Sequence, residues 1–166
     1  MLDLNLALLG LIFSIIYSSS EIALLASNSL QLDVWDKQKK NFSHWASSIV
    51  CLKSEYLSVI LIGTNLSNIL ATSFATVYLL RSSSISEKFI FLPIAIIILI
   101  FGEILPKSIM QRYANYGLIF LSPFLKLSYL IFYPAIFILR KTTWVNISNQ
   151  INKTNDHIDD KRDDIQ

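Results

Sequence analysis

Glu103 stands where a carboxylate is expensive. An apolar run from Phe89 to Phe101 leads into Gly102-Glu103-Ile104-Leu105-Pro106-Lys107. A charged side chain near the middle of a membrane helix costs about 2.5–3.5 kcal/mol on insertion scales, and such acids usually face a cavity or an ion path. Pro106 has no N–H, so the carbonyl of Gly102, four residues earlier, loses its helical donor. A carboxylate and a freed carbonyl thus become neighbours on one turn, and both can ligate a cation. The opposing reading pairs Glu103 with Lys107 at i,i+4, with Lys107 reaching towards the interface. It accounts for the charges and leaves the proline without a reason.

Two further polar stripes accompany this turn. Ser14, Ser18 and Glu21 recur at spacings of four and three, so they share one face of a helix, while Ser19 and Ser20 lie on other faces. Ser58, Asn65, Asn68, Thr72 and Thr76 fall within an arc of roughly 80° at 100° per residue. Serines and threonines of this kind also serve as glue between membrane helices. Two asparagines three residues apart fit a ligand cluster equally well, since each amide supplies a hard oxygen. Ser hydroxyls, Asn amides, a free carbonyl and carboxylates, with no His or Cys among them, suit Mg²⁺, Ca²⁺ or Na⁺ rather than zinc or copper.

Enzyme chemistry finds little support, so the expectation is that the protein is not an enzyme. No nucleophile–base pair is visible, and His44 and His157 stand alone in polar surroundings. The single cysteine, Cys51, excludes an intrachain disulfide and a CxxC site and reads as a small apolar filler.

These residues must be positioned by membrane helices. Of 166 residues, 53% are hydrophobic and 16% charged, whereas a soluble domain carries about a quarter charged residues. A net charge of +2 gives no reason to expect nucleic acid as a partner. Four apolar segments, 4–26, 56–80, 89–110 and 117–139, each approach the ~20 residues a helix needs to cross the hydrocarbon core. None shows the alternation of barrel strands, so the expected fold is an all-α membrane protein. The N-terminus has no basic region and no evident cleavage site, so the first segment reads as a retained span.

Basic residues set the expected orientation. Lys37, Lys39, Lys40 and Lys53 lie in the 27–55 connection, against only Asp3 at the N-terminus. That places the N-terminus outside and the first loop in the cytoplasm. A full fourth crossing would put Arg140 and Lys141 outside, and Pro123, Lys126 and Pro134 interrupt that segment. Three transmembrane helices followed by a bent helix along the cytoplasmic interface are therefore expected. The 27–55 loop, with Trp35 and Trp45 among its charges, reads as amphipathic juxtamembrane helices. The membrane domain spans 1–141. The Asn- and Asp-rich stretch 142–166 reads as a disordered cytoplasmic tail. Its Asp159, Asp160, Asp163 and Asp164 lack the glycine and spacing of an EF-hand loop.

Taken in order, these segments resemble the CNNM membrane domain of the CorC/cyclin-M magnesium transporters, also described as hemolysin-related. Ser18-Ser19-Ser20-Glu21 is similar to the family's Ser-Gly-Ser-Glu, and Ile62-Gly63-Thr64-Asn65-Leu66-Ser67-Asn68 to its Ile-Gly-Asn-Asn-Leu-Val-Asn. Phe101 to Ser108 reproduces Phe-Gly-Glu-Ile-Ile-Pro-Lys-Ser almost whole, and Ser122-Pro123-Phe124-Leu125 resembles the juxtamembrane segment. The resemblance implies a homodimer in the cell membrane. It also implies Mg²⁺ transport, Na⁺-coupled in some members, with Ser20, Asn68 and Glu103 helping to bind a largely dehydrated Mg²⁺. Asn65 and the Gly102 carbonyl would add oxygens. Ser18, Glu21, Thr64 and Pro106 would serve a coupling ion or the structure. Ser19 and Thr64 depart from the family's glycine and first asparagine. Relatives continue into a cytoplasmic CBS-domain pair, so a separate CBS-domain partner is a further expectation. The alternative function is a non-transporting or partner-dependent membrane subunit, a truncated relic of such a transporter.

Overall fold

The computed structural model describes residues 2–40, 42–82 and 87–137, with backbone only for 82 and 87–90. The expected tail, 142–166, and His157 lie outside the described residues. Helix α1 runs Leu2–Ala26, α2 Ser29–Lys37, α3 Ser43–Cys51 and α4 Lys53–Ser82. Helix α5, Glu87–Ile98, passes through a π-helical segment, Leu99–Ile104, into α6, Leu105–Met110. Helix α7 follows as Ala114–Phe137. No strand occurs among the described residues.

The packing is inside-out relative to a soluble domain. Helix α1 buries Ala7, Gly10, Ser14, Tyr17 and Ser18 and turns Leu8, Leu9, Ile12 and Phe13 outward. Lipid tails are as apolar as leucine, so large side chains gain nothing by going inside, while small and polar ones let backbones meet. The α1–α4 contact shows how closely. A Cβ built on Gly10 would lie 2.7 Å from the backbone nitrogen of Ala71. The helices run antiparallel, with Gly10 at Ala71, Ser14 at Asn68 and Tyr17 at Gly63. The α5–π–α6 stretch runs parallel to α1, since Ser14 meets Gly102 and Glu21 meets Lys107.

The 27–55 loop forms two short helices, as expected. Asn28 caps α2, accepting from the N–H groups of Leu30 at 3.0 Å and Gln31 at 3.4 Å, which satisfies two of the orphan donors at a helix start. Leu32 and Trp35 of α2 and Ala46 and Ile49 of α3 join Ala23, Leu24, Tyr56, Ile60, Leu118 and Leu125 in a core at one end of the bundle. Cys51 is exposed at the end of α3 rather than buried as filler. Exposed His44 has a partner after all, its Nδ1 lying 3.2 Å from Asp36.

The fourth apolar segment corrects the sequence reading. Its described part, Ala114–Phe137, is one helix running through both prolines, and among the described residues four helices, rather than the expected three, are long and apolar enough to cross a membrane. Two of the three disruptive features have a local answer. Pro123 leaves the carbonyl of Ile119 without a helical donor, and the Ser122 hydroxyl donates to it at 2.8 Å. The Lys126 ammonium sits over the Trp45 ring, 4.6 Å from its centre, where a cation is attracted by the aromatic face. Residues 1–130 form one compact unit and 131–166 another. Of the second, only the last turns of α7 are described.

Candidate cation site

Three helical segments bring four oxygen-bearing groups together at mid-bundle. Their placement begins with Pro106. Without its N–H the α-helical ladder cannot continue past Gly102, and the chain widens by one residue per turn. The N–H of Leu105 accordingly reaches the carbonyl of Ile100, five residues back. Such π segments are rare and often sit at functional sites. Here the widened turn holds both Gly102 and Glu103.

A side chain at position 102 would displace the Ser14 hydroxyl from the cluster. A Cβ there would stand 2.8 Å from the Ser14 hydroxyl oxygen. The absence of a side chain lets Ser14 Oγ approach the Gly102 carbonyl, 3.2 Å away. The same hydroxyl lies 2.6 Å from Asn68 Oδ1, and Asn68 Nδ2 donates to Glu103 Oε1. Ser14 is fully buried, while Asn68 and Glu103 are half-buried. The Asn68 backbone is held in turn, because Thr72 Oγ1 donates to its carbonyl at 2.7 Å. Alongside, Tyr17 packs its ring over Gly63, where a Cβ would lie 2.5 Å from it. The Tyr17 hydroxyl lies 3.0 Å from Ser128 Oγ of α7, so a fourth helix braces the α1–α4 pair beside the cluster.

Glu103 and Lys107 do not form the pair that their spacing allows. Lys107 Nζ lies 2.8 Å from Glu21 Oε2 of α1, which leaves Glu103 to the Asn68 amide. Glu103 and Glu21 thus occupy different levels, one with an amide and one with an ammonium.

Other residues expected at the site are placed elsewhere. Ser20 is fully buried, but its hydroxyl donates to the Ile16 carbonyl of its own helix at 2.7 Å. Asn65 is exposed on α4. Thr64 is buried and donates to the Ile60 carbonyl at 2.8 Å. Pro106 is buried at the start of α6. Ser18 is buried, and its hydroxyl has no hydrogen-bond partner among the described residues. Sequence reasoning left Ser14 out of the candidate set, yet its hydroxyl is the one from α1 that meets Asn68 and Gly102; its place on the Ser14–Ser18–Glu21 face was the available signal.

Chemically, the cluster offers a carboxylate, an amide oxygen, a main-chain carbonyl and a hydroxyl. Among the described residues no three His, Cys, Asp or Glu side chains gather as a metal group. The donors therefore suit a hard cation bound mainly by neutral oxygens and one charge.

The sequence matches the family described as "Cyclin M transmembrane N-terminal domain" over residues 5–162. It is also 31% identical, over 130 residues, to a UPF0053 protein of Haemophilus influenzae. That alignment covers 78% of this chain and 31% of the relative, so the chain spans about a third of that protein's length.

Proposed function

The chain belongs to the cyclin M transmembrane N-terminal domain family, and on that footing we propose that it carries a divalent cation, Mg²⁺, across the bilayer through the Ser14–Asn68–Gly102–Glu103 cluster. One observation carries the reading. A lone carboxylate at mid-bundle sits on a π turn beside a glycine carbonyl and an asparagine amide, an arrangement that helix packing alone does not require. The family is a membrane one, and the helices make this a multi-pass membrane protein.

Glu103 supplies the negative charge. Asn68 at present turns its NH₂ towards Glu103, so admitting a cation replaces those hydrogens, and rotating the amide by about half a turn presents Oδ1 instead. Ser14 Oγ and the Gly102 carbonyl complete one side. Mg²⁺ needs six oxygens at ~2.0–2.1 Å and releases water reluctantly, so water fills the remaining positions. Ser20 enters the set only if α1 loosens around Ser19. Na⁺ is the proposed coupling ion.

The basic 27–55 loop supports an external N-terminus and a cytoplasmic C-terminal end. With that orientation α7 lies along the cytoplasmic interface, supported by the position of Lys126 over Trp45. An exposed Asn65 on a membrane helix favours a second copy against α4, because an amide facing hydrocarbon lacks partners. Because the chain covers a third of its relative, the second reading is a subunit that works only with a separate cytoplasmic CBS-domain partner.

The test is Mg²⁺-dependent protection from proteolysis in detergent. Asn68→Ala and Glu103→Gln are expected to abolish protection while the helical circular-dichroism signal stays unchanged. Undiminished protection in both would overturn the site.

A further inference from the structure

Helices α2 and α3 sit at the end of the bundle where α1 stops and α4 starts, and Lys53 Nζ, 3.4 Å from the Leu25 carbonyl, ties the two spans together there. Helix α2 is apolar on two opposite faces. Leu32 and Trp35 are buried in the core, while Leu30, 75% exposed, and Val34, 51% exposed, point away from it, with Lys37 on the same outer stripe. The core accounts for the inner face. The outer one needs an apolar neighbour of its own.

The turn that follows carries cations without carboxylate partners. Lys37, Lys39 and Lys40 are exposed and make no ion pair among the described residues. The nearby acids are engaged elsewhere: Asp33 accepts from the Ser47 hydroxyl at 2.7 Å, and Asp36 lies 3.2 Å from His44 Nδ1. Lys39 and Phe42 have φ of 54° and 60°, the left-handed region that residues other than glycine seldom adopt. Phe42 is thereby held half-exposed, its ring centre 5.3 Å from that of Trp45, over which the Lys126 ammonium sits. An open aliphatic stripe, a pair of exposed rings and unpaired ammoniums thus share one end of the bundle.

We propose that the α2–α3 surface binds anionic phospholipid. Leu30, Val34, Phe42 and Trp45 enter the boundary between headgroups and acyl chains, and Lys37, Lys39 and Lys40 meet the lipid phosphates. Interfacial helices bind through buried apolar area together with attraction between basic side chains and anionic lipid. Tryptophan favours the headgroup level, and basic clusters beside a spanning helix select negatively charged lipid. A second protein could cover the apolar side chains, but the unpaired ammoniums at the end of a membrane span match the negative charge that the adjoining bilayer surface already offers. The surface lies apart from the Glu103 cluster and does not depend on it.

The experiment places the full chain, carrying Trp144→Phe so that only Trp35 and Trp45 fluoresce, in vesicles of equal parts phosphatidylcholine and phosphatidylglycerol. One lipid at a time bears brominated acyl chains, which quench indole fluorescence on contact. Brominated phosphatidylglycerol is expected to quench as if enriched about fivefold around the tryptophans. Lys37→Gln, Lys39→Gln and Lys40→Gln together bring the two lipids level. Salt at about 1 M, which shortens the screening length to about 3 Å, does the same to the parent chain. If the triple variant does not fold, the salt result decides alone. Equal quenching by the two lipids in the parent chain overturns the proposal, as does a preference that survives the triple substitution with the helical circular-dichroism signal unchanged. Weak quenching by both lipids also overturns it, because protein rather than lipid then covers the surface.

Discussion

Gly10→Ala should damage the cation cluster without touching any of its oxygens. The new Cβ would lie 2.7 Å from the Ala71 nitrogen and 2.9 Å from its Cα. Ordinary contacts begin at about 3.5 Å, so α1 must withdraw from α4 by about 0.8 Å. Both atoms belong to the backbone, and no side-chain rotation relieves them. Ser14 lies one turn further along, with its hydroxyl 2.6 Å from Asn68 Oδ1. The same withdrawal takes that pair beyond the roughly 3.0 Å limit of a good O–H···O bond. Overpacking of this kind costs about 1–3 kcal/mol, and a site displaced by about an ångström loses on the order of a hundredfold in function. Thermal unfolding in detergent, read beside Mg²⁺ affinity, measures both effects. Ala71→Gly should fail to rescue, because it removes Cβ and leaves the clashing nitrogen in place. Leu9→Ala, half-exposed on the outer face, is the control and should change Mg²⁺ affinity little. A Gly10→Ala protein with unchanged unfolding and affinity would refute the close-packing argument.

Two further substitutions test the supports around the cluster. Ser122→Ala leaves the Ile119 carbonyl without the hydroxyl that replaces the N–H missing at Pro123, and should cost about 1–3 kcal/mol; an unchanged unfolding midpoint would contradict that role. Tyr17→Phe removes the bond to Ser128 and should destabilise by a similar amount, with Tyr17→Phe plus Ser128→Ala costing less than the sum of the two singles. Strict additivity would show that the two hydroxyls do not interact.

The helical content and the approximate span boundaries were legible because apolar length is a coarse signal that single residues barely disturb. The turn at Gly102–Pro106 was legible in part. A proline must free the carbonyl four residues back, and the structure gives that carbonyl to Ser14. The resulting π segment was not foreseen, since whether the ladder slips or kinks depends on what packs against it. A motif match and helical geometry point different ways at Ser20. Ser20 matched the family pattern, yet helical geometry turns it away from the Ser14 face, and its hydroxyl stays on its own helix. Asn65 lies within the polar arc of α4, but that arc is wider than the contact with α1. Pro123 and Pro134 weighed against a fourth crossing of the 117–139 segment. For Pro123 the compensating hydroxyl was its immediate neighbour, Ser122, a side-chain detail that hydropathy ignores.

The central claim is that Glu103 lies in a cation path. Its most direct test is Mg²⁺ flux into liposomes containing the 166-residue chain, read with a Mg²⁺-sensitive dye. The account predicts flux from the wild type and its loss in Glu103→Gln with insertion intact. Equal flux from both proteins would contradict it.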